Sequence, residues 1–346
     1  MILKSFFTMK LVAMFTGSEG LVVAGNLQNI INIINGLIIN QLAQGVVRYT
    51  AEGRSVKEYW KATIQISLFI YMCTVPILLI FSEEIEGLIN NESELIILGL
   101  IITAPINAIY ILKLSILNGN KKIKKYFLTQ IISNSITLAI SVYIIYTYGI
   151  TGVVASLFIN GIMGALIIEF LTRREKAIID IDGILKIDIN YIKKMTKYFS
   201  VGLVGAITGP MSLILIRNIM EERLGVDTAA NWQIVWTISS AFVSFYTMYI
   251  NVTYFPKISE TSSLSLIRKQ IRTVQKLILL SVPIGCVMIY LSKDLLIALV
   301  ATDKFEMAKE MITYQIIGDF FRLLGYTLGI TFISKGLFKF IISYEV

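Results

Sequence analysis

Histidine is absent from all 346 residues, cysteine occurs twice, and charged residues make up only 16% of the chain. The missing histidine removes Ser-His-Asp and Cys-His chemistry together with the H-E-x-x-H zinc site. The two cysteines, Cys73 and Cys286, each lie inside an apolar run. They exclude a disulfide scaffold and a thiolate metal cage, and neither metal nor cofactor is expected. Charge this sparse is well below the roughly 25% of soluble domains. Hydrophobic residues reach 55% and the mean hydropathy is +0.74, which places the chain among multi-pass membrane proteins. The run Ile2–Phe15 carries Lys4 and Lys10 and lacks a small-residue cleavage site. It reads as a shortened first membrane helix rather than a signal peptide.

A spanning helix needs about 20 mostly apolar residues. That criterion predicts spans near 1–16, 21–43, 62–81, 95–116, 126–147, 152–171, 198–220, 230–251, 273–291 and 307–332, with a further one starting at Phe340. Alternate loops differ sharply in charge. One set holds Arg54, Lys57, Lys61, Lys121, Lys122, Lys124, Lys125 and the Arg173–Lys197 cluster, and the other holds Glu83, Glu84, Glu86, Glu221, Glu222 and Asp303. Positive-inside bias puts the N-terminus and the basic loops in the cytoplasm. The net charge of +8 is then a topology signal facing anionic membrane lipid, and no nucleic-acid partner is expected.

The longest polar stretch, residues 172–197, reads as a cytoplasmic linker. It divides an all-α membrane protein into a six-helix N-terminal bundle, 1–171, and a C-terminal bundle, 198–346, of four to five helices. Two related bundles with a substrate site between them are common among transporters, and on that expectation the second bundle is incomplete.

Ionisable groups inside a membrane need a partner, a cavity or a route to water. Asp319 and Arg322 sit mid-span, three residues apart on one helix face, with Gln315 a turn before and Tyr326 a turn after. That stripe suits a cavity wall or an ion pair that locks the helix to its neighbours. Lys10 faces a cavity or snorkels. Arg217 either serves the cavity or pairs near its span end, beside Glu221, while Arg48 is a topology residue or a candidate gate. Lys10, Arg217 and Arg322 against Asp319 leave an intramembrane excess of positive charge, which favours an anion, and arginine grips phosphate oxygens bidentately. The first six spans hold no acidic residue apart from Glu169, which argues against cation loading there.

The second span is rich in amides. Gln28, Asn29, Asn32 and Asn35 fall within roughly 120° of arc at about 100° per residue, a face suited to sugar hydroxyls or to interhelical bonding. In the seventh span, Gly209 and Pro210 predict a bend, read as a hinge or as close packing.

Four segments, together with Lys335, carry a resemblance: Lys10–Gly20 (KLVAMFTGSEG), Gly45–Ala51 (GVVRYTA), Asn231–Ile238 (NWQIVWTI) and Tyr314–Tyr326 (YQIIGDFFRLLGY). The chain resembles the Wzx-type O-antigen and polysaccharide flippases of the multidrug/oligosaccharidyl-lipid/polysaccharide exporter superfamily. Its nearest look is to the branch that serves enterobacterial common antigen, in lipopolysaccharide-type biosynthesis. The resemblance implies a 6+6 helix fold around a cationic cavity and no enzymatic activity. It also implies transport of an undecaprenyl-diphosphate-linked oligosaccharide between the leaflets of a bacterial inner membrane, with polymerase and chain-length proteins as pathway partners. Lys10, Arg217, Asp319 and Arg322 stand where such proteins look charged. A drug/cation antiporter of the same superfamily, or a non-transporting membrane component of glycan assembly, is the alternative.

Overall fold

In hydrocarbon a backbone finds hydrogen-bond partners only within itself, so long apolar runs become helices. The computed structural model describes residues 2–51, 56–89, 94–173, 188–254, 257–258 and 263–335, and every regular element among them is helical. The helices are α1 (Ile2–Phe15), α2 (Gly17–Asn35), α3 (Gln41–Ala51), α4 (Val56–Ile80), α5 (Ser82–Ile89), α6 (Glu94–Gly119), α7 (Ile123–Thr172), α8 (Ile189–Leu224), α9 (Val226–Tyr249), α10 (Leu264–Leu291), α11 (Lys293–Val300) and α12 (Ala308–Lys335). A π-helical turn, Gly36–Asn40, joins α2 to α3, and a second, Ile250–Tyr254, extends α9. Most of the linker placed at 172–197, and the span expected from Phe340, lie outside the described residues.

Helix boundaries follow local chemistry. Between α1 and α2, Gly17 adopts φ 66°, a conformation glycine reaches without Cβ strain. Spans expected at 126–147 and 152–171 are the two helical arms of α7, which meet at Gly149, whose φ of 56° and ψ of −128° leave the helical region. Pro210 lies inside α8, which continues through it. Six helical stretches among the described residues are long and apolar enough to cross a membrane, including 17–50, Ile123–Thr172 and Leu264–Leu291.

Close contacts group the chain into two units. The first comprises residues 22–219, and its core joins Leu27, Ile38, Leu42, Leu100, Leu112 and Ile116. The second comprises residues 2–21 and 220–346, with Val243, Ile250, Val274, Ile278, Val282 and Leu323 at its centre. Thus α1 packs with the C-terminal helices, and most of α8 packs with the N-terminal ones. Large apolar side chains such as Phe69, Phe170, Leu280 and Leu291 point outward, as lipid-facing positions require.

Candidate substrate-binding residues

In the second unit, α12 carries its polar stripe against α9. Asp319 is 0% exposed, and its Oδ1 accepts hydrogen bonds from Ser239 Oγ at 2.8 Å and from Gln315 Nε2 at 3.1 Å. Gln315 Nε2 also reaches Ser239 Oγ at 3.1 Å. Arg322 Nη1 lies 4.0 Å from Asp319 Oδ1, and its guanidinium rests 4.8 Å from the centre of the Trp236 ring. The Asp319 Oδ2 atom is buried with no hydrogen-bond partner. A buried carboxylate beside a cation thus orients the guanidinium, while the arginine side chain itself stays 45% exposed. One turn on, Tyr326 donates to Asn251 Oδ1 at 2.9 Å, an atom that the second π-helical turn presents.

Lys10 belongs to the same unit, and its Nζ donates to the Ala298 carbonyl, in the last turn of α11, at 2.6 Å. A cation near a helix C-terminus complements its exposed carbonyls. Ser18, just after α1, donates to Asp227 in the first turn of α9. Asn231 ties α9 to α12, because its Oδ1 accepts from the backbone N–H of Ala308 at 2.9 Å and so caps that helix.

In the first unit, Arg217 is 0% exposed. It donates through Nη1 to Asn26 Oδ1. Asn26 Nδ2 in turn donates to Asn218 Oδ1 and to the Leu88 carbonyl, both at 2.8 Å, and Asn218 Nδ2 reaches the same carbonyl at 3.1 Å. The cluster fastens α8 to α2 and to the last turn of α5. Asp319 and Arg322 are therefore brought together in one unit with Lys10, whereas Arg217 is sealed within the other.

No protein-family model matches the chain. It is 23% identical over 353 residues to the lipid III flippase of Escherichia coli (strain K12), a match that spans 97% of this chain and 82% of that protein. The lipid III flippase of Shigella flexneri matches to the same extent. Among solved structures, an outward-facing multidrug resistance MATE family transporter of the MOP superfamily covers 96% of this chain and 78% of its own, with TM-score 0.64 and 13% identity. The inward-facing conformation of such a transporter gives TM-score 0.62, at 12% identity over 96% of this chain and 83% of its own. The chain shares the fold of these transporters.

On this fold the remaining expected residues are placed as follows. Gln28 and Asn32 are exposed and bonded to each other at 3.1 Å, while Asn29 and Asn35 are buried. The amide arc is thus split. Helix α8 comes so close at the adjoining Gly36 that an added Cβ would lie 2.7 Å from that of Ala206. Arg48 is exposed in the last turn of α3. Gly209 faces open space beside Pro210, and Ser212 Oγ donates to the Thr208 carbonyl at 2.7 Å.

Several residues of these clusters carried no clear mark in the sequence. Ser239 and Asn218 are ordinary polar residues in apolar helices, and only three-dimensional packing sets them against Asp319 and Arg217. Lys113 of α6 is buried and bonded to Glu169 of α7. Its signal was available, as a lone lysine six residues from a helix end with a carboxylate on the next hairpin arm.

Proposed function

We propose that this protein moves a polyprenyl-diphosphate-linked oligosaccharide, of O-antigen or enterobacterial common antigen type, from the cytoplasmic to the periplasmic leaflet. The observation that carries the reading is the likeness to lipid III flippases over 97% of the chain. Arg322 supplies the matching chemistry. A guanidinium offers paired N–H donors in the geometry of a phosphate's oxygens. Asp319 keeps it aimed, and Trp236 supports it from below.

Lys10 is the second cation of that unit, exchanging its bond with the Ala298 carbonyl for a phosphate oxygen. Arg217 is assigned to fastening α8, because contact with a ligand would require the Asn26–Asn218–Leu88 cluster to open. The exposed Gln28–Asn32 pair serves sugar hydroxyls, Arg48 acts at the cytoplasmic ends of the helices, and Gly209–Pro210 is the bending point of α8. Loop charge places the N-terminus in the cytoplasm, and the polymerase and chain-length proteins of the same pathway receive the product. The polyprenyl chain stays in lipid, where each buried methylene contributes about 0.8 kcal/mol, so the protein has only to shelter the headgroup.

A multidrug exporter of the same fold is the second reading, favoured by the MATE neighbours. Against it, Glu169 is bonded to Lys113 and so is already neutralised in the first unit. Complementation tests the proposal. Expression in a strain lacking its lipid-linked oligosaccharide flippase restores surface glycan, and Arg322→Ala or Lys10→Ala abolishes the rescue at equal membrane abundance. Full rescue by both variants contradicts the anion clamp.

A further inference from the structure

An indole ring in a membrane helix commonly faces lipid or lies at the interface. Trp232 and Trp236 are both half-buried. They stand one turn apart on α9, with ring centres 5.8 Å apart and planes 31° from parallel, so their faces form a short, nearly continuous strip. The strip ends under the Arg322 guanidinium, 4.8 Å from the Trp236 ring centre. A half-exposed arginine does not face hydrocarbon without a strong penalty, so this face of the unit opens onto water. On α12, the helix that carries Arg322, Gly318 is bare: an added Cβ would meet nothing within 4 Å. Gly318 shares a helix face with Gln315 and Arg322, at three and four residues' spacing.

We propose that Trp232, Trp236 and the open notch at Gly318 form a saccharide subsite, which stacks the pyranose rings nearest the diphosphate while Arg322 holds the phosphate oxygens. The inference rests on the flippase reading and names the part of the substrate that this surface reads. A pyranose has C–H faces and a rim of hydroxyls. Its C–H face meets the negative face of an indole, and its hydroxyls both donate and accept at the rim. Gln315 provides one polar edge there. The backbone beside Gly318 is left unshielded and lets a ring approach that any larger side chain would hold off. The order along the strip is cation, ring, ring, which is the order of phosphate and sugars in a lipid-linked glycan. Asp319 and Ser239 act at one remove: they position Arg322 without touching the sugar.

The chain has three tryptophans, and the third, Trp60, lies buried in the first unit. In purified Trp60→Phe protein, indole emission therefore reports on the strip alone. The probe is the lipid-linked saccharide fraction extracted from cells that make it, compared with the same fraction after acid removal of its glycan. The intact fraction is expected to shift the emission saturably, and the stripped fraction to leave it unchanged. In an unlabelled binding assay, Trp232→Leu with Trp236→Leu weakens the intact fraction by about tenfold, the scale of one good aromatic contact. Trp232→Phe with Trp236→Phe keeps most of the affinity, because the aromatic faces remain. Equal emission changes with both fractions overturn the subsite. So does a folded leucine pair that binds and transports as wild type does; transport intact in that pair leaves the flippase reading standing. Wild-type protein that neither binds nor moves the intact fraction overturns both.

Discussion

At the scale of single residues, the two arginines buried or half-buried in apolar helices divide the labour. Arg217 is enclosed by amides and a helix-terminal carbonyl, and Arg322 is aimed outward over an indole. Hydrogen bonds to a charged group contribute about 1.5–3 kcal/mol, and leaving Asn26 unpaired adds a desolvation cost. Arg217→Met is therefore expected to lower the unfolding midpoint of the detergent-solubilised protein by several degrees. The same change on an Asn26→Leu background should cost much less, since the two residues share one network; additive losses would contradict the cluster. The charged residues of this account were all visible in the sequence, because a rare charge in an apolar run announces itself. Their partners were not. Asn26, Ser239 and Asn218 gain meaning only from which helix they face, and a single sequence does not record that. The Gln28–Asn35 arc shows the same limit: its angular spread was legible, but the burial of Asn29 and Asn35 was not.

At the scale of helices, glycines set how closely α8 approaches its neighbours. A Cβ at Gly36 would lie 2.7 Å from the Ala206 Cβ, which cannot move without its helix. A Cβ at Gly202 would lie 1.9 Å from the Gln41 side-chain carboxamide carbon, which can rotate away. Gly36→Ala is thus predicted to destabilise by about 1–3 kcal/mol, the usual cost of overpacking. Gly202→Ala should be tolerated better despite its shorter contact, with thermal unfolding of both variants as the check. Equal losses would mean that Gln41 is as fixed as the helix. Helix existence was the most legible feature of the chain, as the expected spans agree with the observed helices to within a few residues at most ends. One feature escaped. The π-helical turns at Gly36–Asn40 and Ile250–Tyr254 have no periodic signature, whereas the break in α7 at Gly149 falls in the gap between the spans expected at 126–147 and 152–171.

At the scale of the whole molecule, fold and substrate rest on different grounds. Composition and hydropathy specify an all-helical membrane protein, and the likeness to MATE structures, with TM-score 0.64 at 13% identity, fixes the fold alone. The substrate reading depends on the lipid III flippase relatives and on a guanidinium held open beside an aromatic strip. The grouping of α1 with the C-terminal helices was not legible, because it depends on pairings such as Lys10 with Ala298 and Ser18 with Asp227, 288 and 209 residues apart in the chain. The direct test is leaflet transfer. The protein is reconstituted into vesicles whose lipid-linked saccharide begins on one face, and the glycan reaching the other face is measured with a membrane-impermeant glycosidase. The account predicts protein-dependent transfer that is lost in Arg322→Ala. Transfer no faster than in protein-free vesicles, from protein that is folded and inserted, would contradict it.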